Sequence, residues 1–315
     1  MSKKVLITSR SFGKLSDAPL AVLKNAGFQV DSMGSGFDMA RFAEVLPEYD
    51  ALIIGAHDLP AELLTRCPRL KIICKHGVGL DNIPLEKAHE LGITVTNTPG
   101  TNSQAVADLA FGLMLDTARY ISLSASLLKQ GIHRQTVGVD VNGKVLGILG
   151  FGRIGQAVAR RARGFDMQVY AYDPYLSRPP EDLSAVVMAD AETVLRKSDF
   201  VSLHLPLTGE TRGFMNEERF AMMKDGAILI NTARGAVVKE EALLDALTGG
   251  KLRAAGLDVT EEEPTRSDNP LLGLENVVIT DHIGMYSKEA TSAVSLLCAE
   301  AVRDFFAGRT PKNTV

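Results

Sequence analysis

The chain has 315 residues, enough for about two domains at roughly 150 residues each and for a sizeable buried core. Its 34 Lys and Arg against 38 Asp and Glu leave a formal charge of −4, without the basic surplus that grips a nucleic-acid backbone; 45% hydrophobic and 23% charged residues exclude the disordered and fibrous classes. Three cysteines with no CxxC pair exclude a disulfide framework and fit a reducing cytoplasm. No apolar signal core follows Met1-Ser2-Lys3-Lys4, and no stretch reads as a membrane span.

Short apolar runs recur at 5–8, 28–30, 51–54, 71–74 and 93–96, with turn-rich or helical stretches between them. Buried strands alternating with helices predict a parallel sheet. Asn102 or Ser103 caps the next segment, where Ala105, Val106, Leu109, Ala110, Leu113 and Met114 fall at helical spacing. One long helix is expected there, from 102 to about 129, ended by Gly131 and followed by an irregular stretch, 132–142. A second alternating series has strands at 145–149, 168–172, 200–203, 227–231, 254–257 and 277–279. Residues 288–306 then form one amphipathic helix, with Ala290, Ala293, Val294, Leu297, Ala301 and Phe305 on one side.

The strand at 145–149 runs into Gly150-Phe151-Gly152-Arg153-Ile154-Gly155, then a helical stretch at 156–163 and a second strand that ends before Asp173. Alone, GxGxxG reads equally as a turn. In this strand, turn and helix setting, with an acid 18 residues after Gly155, it predicts dinucleotide binding. Gly150 permits the tight turn, Gly152 lets the backbone approach a pyrophosphate, and Gly155 lets helix and strand pack closely. The helix N-terminus supplies N–H groups and a positive dipole. A carboxylate at Asp173 accepts ribose hydroxyls and repels a 2′-phosphate, and neither Tyr172 nor Pro174 is a cation, so NAD is expected over NADP; Arg178 is the nearest cation downstream.

Five further motifs follow one another: residues 75–82 (Lys75-His76-Gly77-Val78-Gly79-Leu80-Asp81-Asn82), 201–208 (with His204, Leu205, Pro206 and Thr208), 230–235 (Ile230-Asn231-Thr232-Ala233-Arg234-Gly235), 257–264 (Leu257-Asp258 through Glu263-Pro264) and 279–284 (Ile279-Thr280-Asp281-His282-Ile283-Gly284). Together they resemble the D-isomer-specific 2-hydroxyacid dehydrogenases, with the phosphoglycerate dehydrogenase-like branch looking closest, over essentially the whole chain. The resemblance implies an α/β fold of two parallel-sheet domains. A Rossmann NAD-binding domain at 100–284 would be inserted in a flavodoxin-like substrate domain made of 1–99 and 285–315, the two facing each other across a cleft that closes.

The resemblance also implies an Arg, Glu and His acting on a 2-hydroxy or 2-oxo acid, with hydride transfer between nicotinamide C4 and substrate C2. Arg234 would hold the substrate carboxylate with its guanidinium fork, His282 would move the proton, and Glu263 would orient and tune the imidazole. Taken alone, Arg234 reads as a surface ion pair, His282 as a structural histidine and 261–263 as a solvated acidic run. For the cofactor the resemblance adds Phe151, Arg153, Ile154, Thr232, Ala233 and Gly284 to the three loop glycines and Asp173. Asp258 would meet the nicotinamide amide, its plain reading being a turn cap. His204, with Pro206 and Thr208, would line the far side of the cofactor, and His204 is the second candidate for the proton. Gly77, Val78 and Gly79, by composition a turn, would hold the substrate carboxylate through backbone N–H groups, with Lys75 as a cation for a second anionic group. No metal is implied.

Two positions depart from the family pattern. Asp281 stands where Pro commonly precedes the catalytic His, and Ile132-His133-Arg134 stands where a Trp is frequent, with Arg134 a candidate to reach a substrate across a dimer. A cytoplasmic homodimer is expected, with the helix from 102 to 129 as its arm. The rival readings are a formate- or phosphite-type dehydrogenase on the same fold and an NAD-sensing corepressor-like binding protein.

Overall fold

The computed structural model describes residues 2–315, and these fall into two compact units. One comprises the chain up to Asn102 together with Met285–Val315; the other is Ser103–Gly284. The boundary falls at the start of a helix, close to the expected seam at residue 100.

In the first unit, β1 (Lys4–Ile7), α1 (Ala18–Asn25), β2 (Gln29–Ser32), α2 (Met39–Val45), β3 (Ala51–Ile54), α3 (Ala61–Thr65), β4 (Ile72–Lys75), α4 (Leu85–Glu90) and β5 (Thr94–Thr96) alternate. Their sheet is parallel in the order β2-β1-β3-β4-β5, a flavodoxin-like winding. Every residue of β3 and β4 is buried, so these strands are continuous apolar runs with no polar alternation. β2 extends through Asp31 and Ser32, beyond the apolar run expected at 28–30, because it is an edge strand and need not be apolar.

The second unit holds α5 (Ser103–Arg119), α6 (Ile121–Lys129), β6 (Val145–Leu149), α7 (Arg153–Ala162), β7 (Gln168–Tyr172), β8 (Val187–Met188), α8 (Ala191–Lys197), β9 (Phe200–Leu203), α9 (Glu217–Met222), β10 (Ala227–Asn231), α10 (Glu240–Thr248), β11 (Leu252–Leu257) and β12 (Val277–Ile279). The strand order is β12-β11-β10-β9-β6-β7-β8, all parallel. Counted from β6 this is 3-2-1-4-5-6-7, the doubly wound Rossmann arrangement with one added strand. The chain then returns to the first unit as α11 (Lys288–Phe306), whose Cys298, Ala299 and Val302 join Val5, Ile7, Ile53 and Cys74 in one core. The second unit is thus an insertion in the first.

Two expectations are corrected. The single helix from 102 to 129 is two helices, broken at Tyr120, whose φ of 53° is left-handed. Asp116 accepts the backbone N–H of Ser122 at 2.8 Å, satisfying a donor in the first turn of α6. The apolar spacing continues across this one-residue break, so periodicity alone cannot show it. The edge strand β8, two residues long, was not anticipated.

Candidate active site

The registers of the seven-stranded sheet place Tyr172, Leu149, Leu203, Asn231, Leu257 and Ile279 in one row across β7, β6, β9, β10, β11 and β12. The residues that follow them in the chain are Asp173, Gly150, His204, Thr232, Asp258 and Thr280. Six positions scattered between residues 150 and 280 therefore stand side by side at the carboxyl edge of the sheet, where open α/β sheets bind ligands. At about 4.8 Å per strand the row spans roughly 24 Å.

Gly150 lies at the switch point of the sheet with φ 95°, and a Cβ there would come within 2.6 Å of the His204 carbonyl. Both facts demand glycine. A Cβ at Gly155 would sit 2.2 Å from the Gly150 oxygen, whereas one at Gly152 would meet nothing within 4 Å. The first and third glycines are thus fixed by packing, and the second borders open space at the N-terminus of α7. Asp173 accepts the Phe151 N–H and the Tyr175 N–H, each at 2.9 Å, tying the glycine loop to β7. The Phe151 side chain is fully buried in the core, so that expected cofactor residue has only its backbone to offer, while Ile154 packs against the core and stays partly exposed. Arg153 is exposed, and Pro206 and Thr208 lie in an exposed turn closed by Thr211, a residue the sequence reading did not single out.

Two buried polar atoms in this row, His204 Nδ1 and Thr232 Oγ1, have no hydrogen-bond partner among the described residues. Orphaned polar atoms beside an open glycine loop fit a ligand that supplies the partners. Burial pushes His204 down to about 3, and its Nε2 pairs with Ser202 Oγ at 2.9 Å. A neutral, internally engaged imidazole suits a wall rather than a proton carrier.

At the other end of the row, His282 Nδ1 lies 2.6 Å from Glu263 Oε2, and Nε2 has no partner among the described residues. The ring is about half exposed, with 43% of its side chain accessible. Its backbone is left-handed, φ 49°, and its N–H donates to the Asp258 carbonyl at 2.9 Å. The Asp258 carboxylate, buried at 1% exposure, accepts the Thr280 hydroxyl at 2.6 Å and the N–H groups of Ile283 and Gly284 at 2.8 Å each. Desolvation raises its pKa, against the lowering effect of these donors. Asp258 therefore builds the loop that presents His282, a role its residue type alone does not reveal. A Cβ at Gly284 would press on Asp258 Oδ2 at 3.0 Å. Asp281 is exposed and has no hydrogen bond or ion pair among the described residues.

Arg234 follows β10 in a turn pinned by buried Asn231, whose side chain accepts the Ala233 N–H and donates to the Arg234 carbonyl, both at 3.0 Å. Its guanidinium donates to the Ala233 carbonyl at 2.7 Å. Arg134, by contrast, holds Glu275 of its own chain with both terminal nitrogens, at 3.1 and 2.9 Å.

In the first unit, Gly77 has φ 149° and its carbonyl accepts both the Thr98 N–H and hydroxyl, while the Val78 carbonyl accepts from Asn97 at 2.8 Å. The carbonyls thus turn inward, and the N–H groups of Gly77, Val78 and Gly79 have no acceptor among the described residues. Lys75, 9% exposed, donates to the Gly55 carbonyl at 2.7 Å and Asn82 Oδ1 at 2.6 Å.

Comparison with known proteins agrees with this geometry. Residues 111–284 match the family model described as D-isomer specific 2-hydroxyacid dehydrogenase, NAD binding domain. The chain belongs to that family. The hydroxypyruvate reductase of Thermotoga maritima is 46% identical over 82% of this chain and 85% of that protein. The D-3-phosphoglycerate dehydrogenase of Methanocaldococcus jannaschii is 38% identical over 99% of this chain, which spans only 59% of that longer protein. Among solved structures, the TT0316 protein of Thermus thermophilus superposes with a TM-score of 0.91 at 38% identity, covering 99% of both chains. As a member of the D-isomer specific 2-hydroxyacid dehydrogenases, the chain is an oxidoreductase whose cofactor is NAD, held on the middle unit.

Proposed function

We propose that this dehydrogenase interconverts a small D-2-hydroxy acid and its 2-oxo acid, of the hydroxypyruvate, glyoxylate or phosphoglycerate kind, with Arg234, Glu263 and His282 as its catalytic residues. The observation that carries the reading is the His282–Glu263 pair: one ring nitrogen is held at 2.6 Å by a carboxylate, and the other is left to the reacting oxygen. Bound NADH supplies the hydride to C2. His282, as imidazolium, donates a proton from Nε2 to the carbonyl oxygen as C2 is reduced, and as imidazole takes it back in the oxidative direction. Glu263 accepts from Nδ1 and fixes the ring. Arg234 is the side chain proposed for the substrate carboxylate; in the first unit the N–H groups of residues 77–79, three consecutive backbone donors without acceptors among the described residues, are proposed as substrate-binding donors. In this reading Gly150, Gly152, Gly155, Asp173, His204, Pro206, Thr208, Thr232, Ala233, Asp258 and Gly284 would hold the NAD, and Lys75 would meet a second anionic group of the substrate. The middle unit is the NAD-binding domain and the outer segments are the substrate-binding domain.

The deciding test is NADH oxidation over glyoxylate, hydroxypyruvate, phosphohydroxypyruvate, oxaloacetate and sulfopyruvate. Turnover of at least one is expected, and reduction of none alongside tight NADH binding would falsify the enzyme reading.

The proposal includes a homodimer in the cytoplasm. None of the residues of α6 is buried, and Ile121, Leu128, Ile132 and Val137 are exposed at 55%, 59%, 46% and 86%. Apolar surface of this kind calls for a partner, and a second copy would cover it on both protomers. Sedimentation should give a dimer for the native chain and a monomer for the Leu128→Glu, Val137→Asp double variant. The cytoplasm is supported by three free, buried cysteines; among the described residues no helix is long and apolar enough to cross a membrane.

A further inference from the structure

Glu240 opens α10, six residues after Arg234, where a first-turn glutamate would ordinarily extend into solvent beside the helix dipole. Here it does not. Its Oε1 accepts the backbone N–H of Glu261 at 2.5 Å and its Oε2 accepts Asn269 Nδ2 at 2.9 Å, so each oxygen grips one end of the loop that carries Glu263. Asn269 is held in turn, because its Oδ1 accepts the Leu271 N–H at 3.0 Å.

A second contact lies beside this grip. A Cβ at Gly235 would fall 1.7 Å from the Thr260 oxygen and 2.5 Å from the Glu261 nitrogen, so the backbone just after Arg234 rests directly on the backbone just before Glu263. Inside the loop, Thr260 Oγ1 donates to the Glu262 carbonyl and pairs with Thr265 Oγ1, both at 2.8 Å. These bonds shape the loop but do not anchor it to the sheet.

We propose that Glu240 is a positioning residue for the dehydrogenase reaction: its carboxylate clamps the 261–269 loop against the segment carrying Arg234, and so sets Glu263 at the distance from which it can hold His282. The inference rests on the function proposed above and adds a residue to it. Glu240 touches neither His282 nor Glu263, so its effect on turnover passes through Glu263 alone.

The test compares the native chain with Glu240→Ala, Glu240→Gln, Glu263→Gln and the Glu240→Ala, Glu263→Gln double variant. Amide exchange is measured over 259–269, and steady-state kinetics with NADH and whichever 2-oxo acid the native chain reduces. In Glu240→Ala, exchange over 259–269 should rise at least tenfold and kcat fall at least tenfold, with KM for NADH within twofold. Glu240→Gln keeps an oxygen for the Glu261 N–H but turns its amide nitrogen toward Asn269 Nδ2, donor to donor, so it should fall between native and Glu240→Ala in both readouts. In the Glu263→Gln background, Glu240→Ala should lower kcat by less than threefold. Unchanged exchange, an equal loss in the Glu263→Gln background, or a glutamine variant as poor as alanine each overturns the proposal. Should Glu240→Ala not fold, Asn269→Ser, which releases one anchor, replaces it with an expected exchange increase of threefold or more. If the native chain reduces no 2-oxo acid, the functional reading falls while the exchange measurement still decides the clamp.

Discussion

His282 occupies a backbone conformation that costs a residue with a Cβ, and two neighbours hold it there: Asp258, with its carbonyl on the His282 N–H and its carboxylate on the two amides that follow, and Glu263 on the ring. Replacing the ring by an amide should separate chemistry from binding. His282→Asn is expected to lower kcat by about 10²- to 10⁴-fold, the usual contribution of a positioned acid–base group. NADH affinity by fluorescence titration should change little, and a loss of affinity equal to the loss of rate would contradict the assignment. Asp258→Asn tests the scaffold. The amide oxygen can keep Thr280 and Ile283, but the amide nitrogen then stands in place of Oδ2 and faces the Gly284 N–H, donor to donor, at a cost of about 1–3 kcal/mol for a buried unsatisfied group. Thermal unfolding should register that loss, and the variant should lose activity even though Asp258 moves no proton.

The element proposed to position the cofactor is the strand–turn–helix from β6 to α7, and its three glycines are not equivalent. Gly150→Ala must adopt a left-handed backbone and also displace the His204 carbonyl, which lies 2.6 Å from the new Cβ. Calorimetry should show NADH binding weakened at least tenfold and a lower Tm. Gly152→Ala meets no protein atom within 4 Å, so its Tm should hold while NADH affinity falls, provided the open space there belongs to the ligand. A parallel Tm loss in both variants would show that the space is not a binding surface. The helix pair α5 and α6 makes a complementary point. The apolar residues of α5 face its own unit's core, whereas those of α6, in the same spacing, stay exposed, because Tyr120 redirects the chain between them.

For the whole molecule, acid stability is set in part by a histidine away from the chemistry. His76 is buried, its Nε2 pairs with Ser295 Oγ of α11 at 2.8 Å, and burial, aided by the positive charge of Lys75, pushes its pKa down to about 4. Below the ordinary histidine value of about 6.5 the unfolded chain takes up a proton that the folded chain refuses. Stability from this group is therefore complete above pH 6.5 and drains away as pH falls toward 4, by up to about 3 kcal/mol. His76→Gln keeps a donor near Ser295 and removes the titration. Across pH 6.5 to 4 its Tm should decline less steeply than that of the native chain, and parallel curves would reject the account.

Much of this was legible in the chain itself, for identifiable reasons. Strands at 51–54, 145–149, 168–172, 200–203, 227–231 and 277–279 stand where the apolar runs predicted them; those at 51–54, 145–149, 200–203 and 227–231 are buried on both faces, which favours an apolar run. The glycine loop and Asp173 were readable because one short segment contains the strand, the turn, the helix start and the acid. Arg234, Glu263 and His282 were not readable from chemistry alone: a lone arginine, an acidic run and a single histidine carry no local signature, and only the motif resemblance marked them. Asp258 was readable only as a turn cap, without the loop it caps, and the role of Glu240 escaped altogether. Each acts through hydrogen bonds to residues 20 to 30 positions away, Asp258 on 280–284 and Glu240 on 261–269. Sequence by itself determined most of the elements, the parallel winding and the glycine turn, though neither the break at Tyr120 nor β8, because hydrophobic periodicity and glycine geometry are local. Only the tertiary structure decided which polar groups hold which loop, because strand register alone brings Asp173, Gly150, His204, Thr232, Asp258 and Thr280 into one row.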